Sequence, residues 1–180
     1  MNHSFSGGGM ICPACSSDVI EGDEFCEKCH YPLVDFGKPT PRSTLERNVV
    51  QDTIRCLSPK SPLIATPETP IGEVVRLLTE KDLGCIVIAQ DEQILGIFSE
   101  RDVLLKLNAT AQKMLARPVS EFMTRPVETL DVDDRIALAL HKMDLGGYRH
   151  LPVTDDGKLV GIISIRDIMR YMTETILTSG

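Results

Sequence analysis

The chain repeats itself. Displaced by 65 residues, it aligns Ile71 with Ile136, Gly96 with Gly161, Ile97 with Ile162, Ser99 with Ser164, Arg101 with Arg166 and Asp102 with Asp167, without a gap. One structural unit has been used twice, and any fold must accommodate both copies. The copies end alike, in "GIFSERDV" and "GIISIRDI", where a strand pattern gives way to a helical one.

Each copy reads as β-α-β-β-α. In the first, "SPLIAT" is a short strand and Thr69 with Pro70 starts a helix whose apolar face holds Ile71, Val74, Val75, Leu77 and Leu78. "CIVIA" and "ILGIFS" are strands turning at "DEQ", and "ERDVLLKL" is the closing helix. In the second, "VETL" is a strand and Asp133 caps a helix running to Gly146 and Gly147. "HLPVT" and "KLVGIIS" then form a hairpin across "DDG", and "IRDIMRYM" is helical. The order predicts an α+β fold with helices on one side of a small sheet. Neither copy carries much core alone, so the two are expected to pack face to face as a pseudo-symmetric pair.

Ahead of the repeats stands "CPACSSDVIEGDEFCEKC". Two residues between cysteines let a tight turn aim both thiolates at one ion, so Cys12, Cys15, Cys26 and Cys29 are expected to complete a tetrahedron around structural Zn2+. Catalytic zinc needs an open coordination position, and four thiolates leave none. A redox CxxC needs a single pair in a βα context. Ile11, Val19, Ile20, Phe25, Tyr31 and Leu33 are the candidate miniature core. So small a segment depends on its metal for stability.

This part resembles the short zinc-ribbon family over residues 10–34, in its CPxC knuckle and in "FCEKCHYPL". The family often has glycine after each knuckle, where this chain has Ser16 and His30. Cys56 and Cys85 stand alone in apolar sequence. The reading divides the chain into a flexible leader 1–9, the ribbon 10–34, a proline-bearing linker 35–48 in which Ser43 or Thr44 caps a short helix, and repeats over 49–116 and 117–178.

The net charge of −7 disfavours attraction to nucleic acid or anionic lipid. In the ribbon, Asp18, Glu21, Asp23, Glu24 and Glu27 are opposed by Lys28 alone, which favours a structural or protein-docking role. With no long apolar run and no secretory leader, the protein is expected in the cytoplasm, away from membranes.

Tandem units of this order, each ending in G-apolar-apolar-[ST]-x-x-D, with "MTRPV" opening and "RHLPV" inside the second, resemble a pair of CBS domains, a Bateman module, over residues 49–176. Ser-x-x-Asp at a helix start is equally a capping box, although Asp is shorter than the usual Glu or Gln. A cap gives no reason for the preceding glycine, which admits another group close to the strand. A carboxylate is an acceptor suited to the paired hydroxyls of a ribose, and a helix N-terminus offers donors.

The resemblance implies two nucleoside clefts between the repeats. The first takes Ser99 and Asp102 for ribose, Ile97, Val127, Glu128 and Thr129 for the base, and Arg149, His150 and Arg166 for phosphate. The second takes Ser164 and Asp167 for ribose, Leu63, Ile64 and Ile162 for the base, and Arg101 as its clear cation. Because Gly84 and Cys85 replace Arg149 and His150 there, the first cleft is expected to bind phosphorylated nucleosides more strongly. Against this, Arg149 and His150 also fit a solvated loop, and Arg101 and Arg166 fit pairing with nearby acids.

No nucleophile–base pair or glycine-rich phosphate loop appears, so the expectation is a regulatory protein rather than an enzyme, sensing AMP, ADP, ATP or S-adenosylmethionine. The resemblance further implies a homodimer through the CBS helices, with Val74, Leu78, Leu138 and Met143 as candidate contacts and the ribbon engaging a protein partner. The alternatives are a transcription-associated ribbon protein with a metabolite-sensing pair, and a structural dimer with decayed sites. Met123, Met143, Met169 and Met172 read as core filler and His141 as surface.

Overall fold

A computed structural model describes residues 10–20, 23–33, 43–107 and 111–178. The expected leader 1–9 and most of the linker lie outside the described residues. The strands are β1 Met10–Ile11, β2 Asp18–Val19, β3 Ile64–Ala65, β4 Cys85–Gln90, β5 Gln93–Ser99, β6 Leu130–Asp131, β7 His150–Asp155 and β8 Lys158–Ser164. The helices are α1 Thr44–Gln51, α2 Ile71–Glu80, α3 Glu100–Lys106, α4 Ala111–Met114, α5 Ile136–Gly146 and α6 Ile165–Thr178. None is long and apolar enough to cross a membrane.

The chain divides into two compact units. One comprises Met1–Ser58, Val132–Tyr148 and Ile165–Gly180, and the other Pro59–Asp131 and Arg149–Ser164. Both repeat sheets belong to the latter. They are three-stranded, β3-β4-β5 and β6-β7-β8, each with a parallel outer pair followed by an antiparallel hairpin. The hairpins turn on Asp91 and Glu92, with φ of 50° and 65°, and on Asp156 and Gly157, with φ of 48° and 77°. Positive φ at both central residues matches the twist of the flanking strands. In the first copy α2 packs on β4 and α3 on β5.

The repeats exchange their lead-in segments. Ile71 N–H at the start of α2 donates to Arg117 O at 2.8 Å, and Ile136 N–H at the start of α5 donates to Asp52 O at 3.1 Å. Shifted by 65 residues, one bond becomes the other: the chain preceding each copy serves the other copy. Val119 and Phe122 accordingly join Ile71, Val74, Leu78, Ile86, Ile88 and Phe98 in the first copy's core.

This exchange bears on both expected helix starts, Thr69 with Pro70 and the Asp133 cap. Thr69 does not cap α2; its hydroxyl accepts from Thr66 N–H at 3.1 Å, and Pro70 occupies the cap position. Asp133 does not cap α5; its carboxylate takes the Arg55 guanidinium at 3.1 Å, and the cap position falls to Arg135. Backbone carbonyls already meet the first helical N–H groups, so a side-chain cap is redundant. Ser43 does cap α1, accepting from Glu46 N–H at 3.1 Å.

In the ribbon unit, α1 packs on α5 and α6. Val74, Leu78, Leu138 and Met143 are all buried within the chain and are therefore not a dimer surface. Met169 is exposed rather than core, as is Cys56.

Candidate functional site

The ribbon is built around sulfur. The four Sγ atoms lie within 4.8 Å of one another, with Cys12 to Cys29 at 3.7 Å and Cys15 to Cys26 at 3.6 Å. Those separations are far too long for disulfides. They match the edge of a tetrahedron with about 2.3 Å arms, so the residues fit zinc. Ser17 Oγ sits 3.0 Å from Cys15 Sγ and 3.2 Å from Cys26 Sγ, an outer-shell hydroxyl. Burial raises Cys12 and Cys29, as expected of thiols that cannot all ionise together without a cation. At Cys26, where burial also opposes ionisation, Ser17 and the backbone N–H groups of Cys29 and Lys28 bring the thiol down to about 6.

Ser16 and His30 both take φ of 58°, the left-handed conformation that explains why glycine often follows such knuckles. The expected miniature core is only partly realised. Val19 and Leu33 are buried, but Ile11, Ile20 and Phe25 are 60%, 74% and 54% exposed. Cys12, Cys26 and Ala14 fill the interior instead.

His141, expected at the surface, meets the ribbon. Its Nε2 lies 3.1 Å from Cys29 O, and its ring packs edge-on to Tyr31 with centroids 5.2 Å apart. The sequence carries no signal for this contact beyond a histidine on a helix of Leu and Ala.

The second centre stands where β5 passes into α3. Ser99 caps α3, and the capping box is complete with Asp in the role of the longer acids. Asp102 Oδ2 accepts from Ser99 N–H at 2.8 Å and from Ser99 Oγ at 2.6 Å. Asp102 Oδ1 accepts from Thr124 Oγ1 at 2.9 Å and from Lys106 Nζ at 2.7 Å. Burial pushes the Asp102 carboxyl up, but Lys106, Ser99 and Thr124 together hold it below its ordinary value. Lys106 and Thr124 were absent from the sequence-derived site; Lys106 stands one helical turn beyond Asp102, the available signal.

Thr124 arrives through the lead-in exchange, pairing with Ile97 by bonds of 2.8 and 3.1 Å. Ile97, Ser99 and Asp102 are thus gathered beside the segment that continues to Val127, Glu128 and Thr129. The space a Gly96 side chain would need holds Met123, and at Gly161 it holds Pro59. Both glycines therefore admit the chain's own lead-ins, which removes the argument that they reserve room for a ligand. His150 packs directly over Gly84, and Arg149 is exposed.

Of the second set, Leu63 and Ile162 are half-buried and Ile64 is exposed; Leu63 O accepts from Val87 N–H at 3.0 Å. Ser164 ends β8 opposite His150. Arg166 and Asp167 lie in the first turn of α6, in the ribbon unit; Arg166 is exposed, while Asp167 is buried with Arg170 at 3.9 Å. Arg101 is exposed on α3.

A family model described as "CBS domain" matches residues 54–109 and 119–174. An uncharacterized 17.7 kDa protein of Acidianus ambivalens is 33% identical over 62% of this chain and 67% of its own length. A CBS domain-containing protein of Arabidopsis thaliana is 29% identical over 66% of this chain but only 21% of its own length, so the chain spans a small part of that relative. Among solved structures, CBS domain protein PAE2072 from Pyrobaculum aerophilum, complexed with AMP, superposes with a TM-score of 0.59 at 28% identity, covering 70% of this chain and 98% of that one. The CBS domain pair of MJ0100, in complex with 5-methylthioadenosine and S-adenosyl-L-methionine, gives 0.59 at 25% identity, covering 68% and 96%.

Proposed function

The chain belongs to the CBS-domain family, and from that premise we propose that it is a cytoplasmic regulatory protein sensing an adenosine-containing ligand. The observation that carries the reading is the Ser99–Asp102 constellation: a buried, ionised acceptor at a helix N-terminus beside Ile97 and the 124–129 segment. An acceptor-only carboxylate recognises a ribose diol, and His150 with Arg149 supplies cationic character for phosphate. The AMP and S-adenosylmethionine complexes of related pairs support the ligand class. No group here is assigned a catalytic role.

The ribbon holds zinc in this reading and serves as a structural or protein-docking element, through which a ligand-dependent change would reach a protein partner. A ligand achieves this only by binding one arrangement better than another. The family's dimeric habit extends the proposal to a homodimer, whose contact must use residues other than the four buried ones named above.

Thermal unfolding of the zinc-loaded protein with AMP, ADP, ATP, adenosine and S-adenosylmethionine tests the function. Binding at a hundredfold excess over Kd stabilises by about 2.7 kcal/mol. A rise with a phosphorylated adenosine, reduced in Asp102→Asn and retained in Asp167→Asn, is expected. No rise with any of the five overturns the proposal.

A further inference from the structure

We infer that Lys106 is an internal competitor for the ribose position, so that a nucleoside binds at Asp102 only by displacing a lysine ammonium. The inference rests on the function proposed above and assigns a specificity-determining residue to that site.

A carboxylate offers about four acceptor positions, and those of Asp102 are all engaged. Two belong to the Ser99 backbone and hydroxyl, which also secure the start of α3. The Thr124 hydroxyl takes a third, from a segment fixed by its backbone pairing with Ile97. Lys106 takes the last, and it is the partner best able to leave. Its side chain is 34% exposed against 11% for Asp102, and its long stem reaches back from the end of α3. Its ammonium also donates to Phe122 O at 2.7 Å and to Thr124 Oγ1 at 3.0 Å. A departing ammonium keeps a carbonyl within reach and regains water, whereas displacing Ser99 uncaps a helix.

The second repeat has different residues at the two equivalent positions. Position 171, equivalent to Lys106, is Tyr171, whose hydroxyl donates to Asp52, and position 59, equivalent to Thr124, is Pro59, which has no side-chain donor. At Asp167 the described cation is instead Arg170, at 3.9 Å against the 2.7 Å of Lys106 at Asp102, so the close ammonium contact distinguishes the first site. It calls for a ligand that brings a hydroxyl to Asp102, because one ribose hydroxyl returns the one donor that the ammonium takes away, and the second hydroxyl of a diol adds a further contact.

Calorimetric titration of the full zinc-loaded chain with adenosine, for wild type, Lys106→Met and Lys106→Arg, tests the inference. Met keeps the apolar stem and removes the charge; Arg keeps the charge. Tightening of roughly two- to fivefold is expected in Lys106→Met, the range set by a partly exposed ion pair, with Lys106→Arg near wild type. The gain disappears with 2′,3′-dideoxyadenosine, which has no diol to exchange for the ammonium. Should Lys106→Met fold poorly, Lys106→Gln keeps a donor for Phe122 O and makes the same prediction. Unchanged or weakened adenosine binding in the neutral variants overturns the inference while leaving the proposed function standing. Absence of nucleoside binding in every form overturns both.

Discussion

His141 on α5 and Cys29 in the ribbon meet through a 3.1 Å contact between the imidazole Nε2 and the carbonyl oxygen of one of the four clustered cysteines. The ribbon is therefore joined to a repeat helix at the very turn that carries its last thiolate. With Tyr31 edge-on to the same ring, His141 both hydrogen-bonds and packs against the second knuckle.

Replacing His141 by Ala removes both contacts. A loss of about 1 to 2 kcal/mol is expected, from one hydrogen bond and one aromatic pair. Amide hydrogen exchange should rise at 26–33 and leave β4, β5 and α2 unchanged. Uniform acceleration across the chain, or none, contradicts the contact's role.

Metal removal should act through the same turn. With zinc held as proposed, chelator should make the four clustered thiols reactive and lower protection in the ribbon, because the metal would supply stability the small interior lacks. In the zinc-loaded chain, exposed Cys56 should alkylate readily. Buried Cys85, pushed up to about 12 by burial and by the Asp102 and Glu100 charges, should resist. Mass spectrometry after brief iodoacetamide treatment reads this directly; Cys85 labelling as fast as Cys56 refutes it.

Ser16 and His30 adopt a left-handed backbone that costs an ordinary side chain about 1 kcal/mol or more. Ser16→Gly and His30→Gly should each raise the ribbon's resistance to chelation or denaturant by up to about 1 kcal/mol, offset by glycine's greater freedom when unfolded. A marked loss in either variant means that its side chain makes contacts outweighing the strain.

Much of this arrangement was legible in the sequence. The 65-residue displacement exposes the repeated unit, and the strands, hairpins and terminal helices follow from pattern and turn chemistry. The Cys-x-x-Cys spacing brings four sulfurs together as expected. The lead-in exchange was not legible, because bonds such as Ile71 to Arg117 join a helix start to a segment that reads as the approach to another copy. The other differences follow from this exchange and from the sulfur-filled ribbon. Thr69 and Asp133 look like caps only if the helices lack outside partners, and Gly96 looks reserved for a ligand only if Met123 is not beside it. Ile11, Ile20 and Phe25 look like core only if sulfur does not fill the ribbon.

Acid should release the Asp102 lock. Its carboxyl is held below the ordinary value, so the ionised form stabilises the fold above the unfolded pKa, about 3.9, and that contribution is lost as pH falls toward the lower folded value. Wild type and Lys106→Met, compared by denaturant unfolding, should differ in stability near neutrality and converge as acid protonates the carboxyl in both. A gap that does not narrow anywhere along the acid limb, down to acid unfolding, shows that the Lys106 contribution does not depend on Asp102 charge.

Tyr171 provides the alkaline counterpart. Burial and its hydrogen bond to the Asp52 carboxylate push the phenol up to about 12, because ionisation would set two negative charges together. The folded state thus holds the proton more tightly than the unfolded chain, whose tyrosines titrate near 10. The associated stability is complete below about pH 10 and is lost as pH rises toward 12. Tyr171→Phe removes both the titration and a charge-assisted hydrogen bond, with an expected loss of about 1 to 2 kcal/mol at neutral pH. Because Asp52 O also caps α5, hydrogen exchange should quicken at the start of α5 along with α6. If Tyr171→Phe matches wild type at pH 7 and retains the same alkaline decline, the phenol–carboxylate bond does not hold α6 to the lead-in.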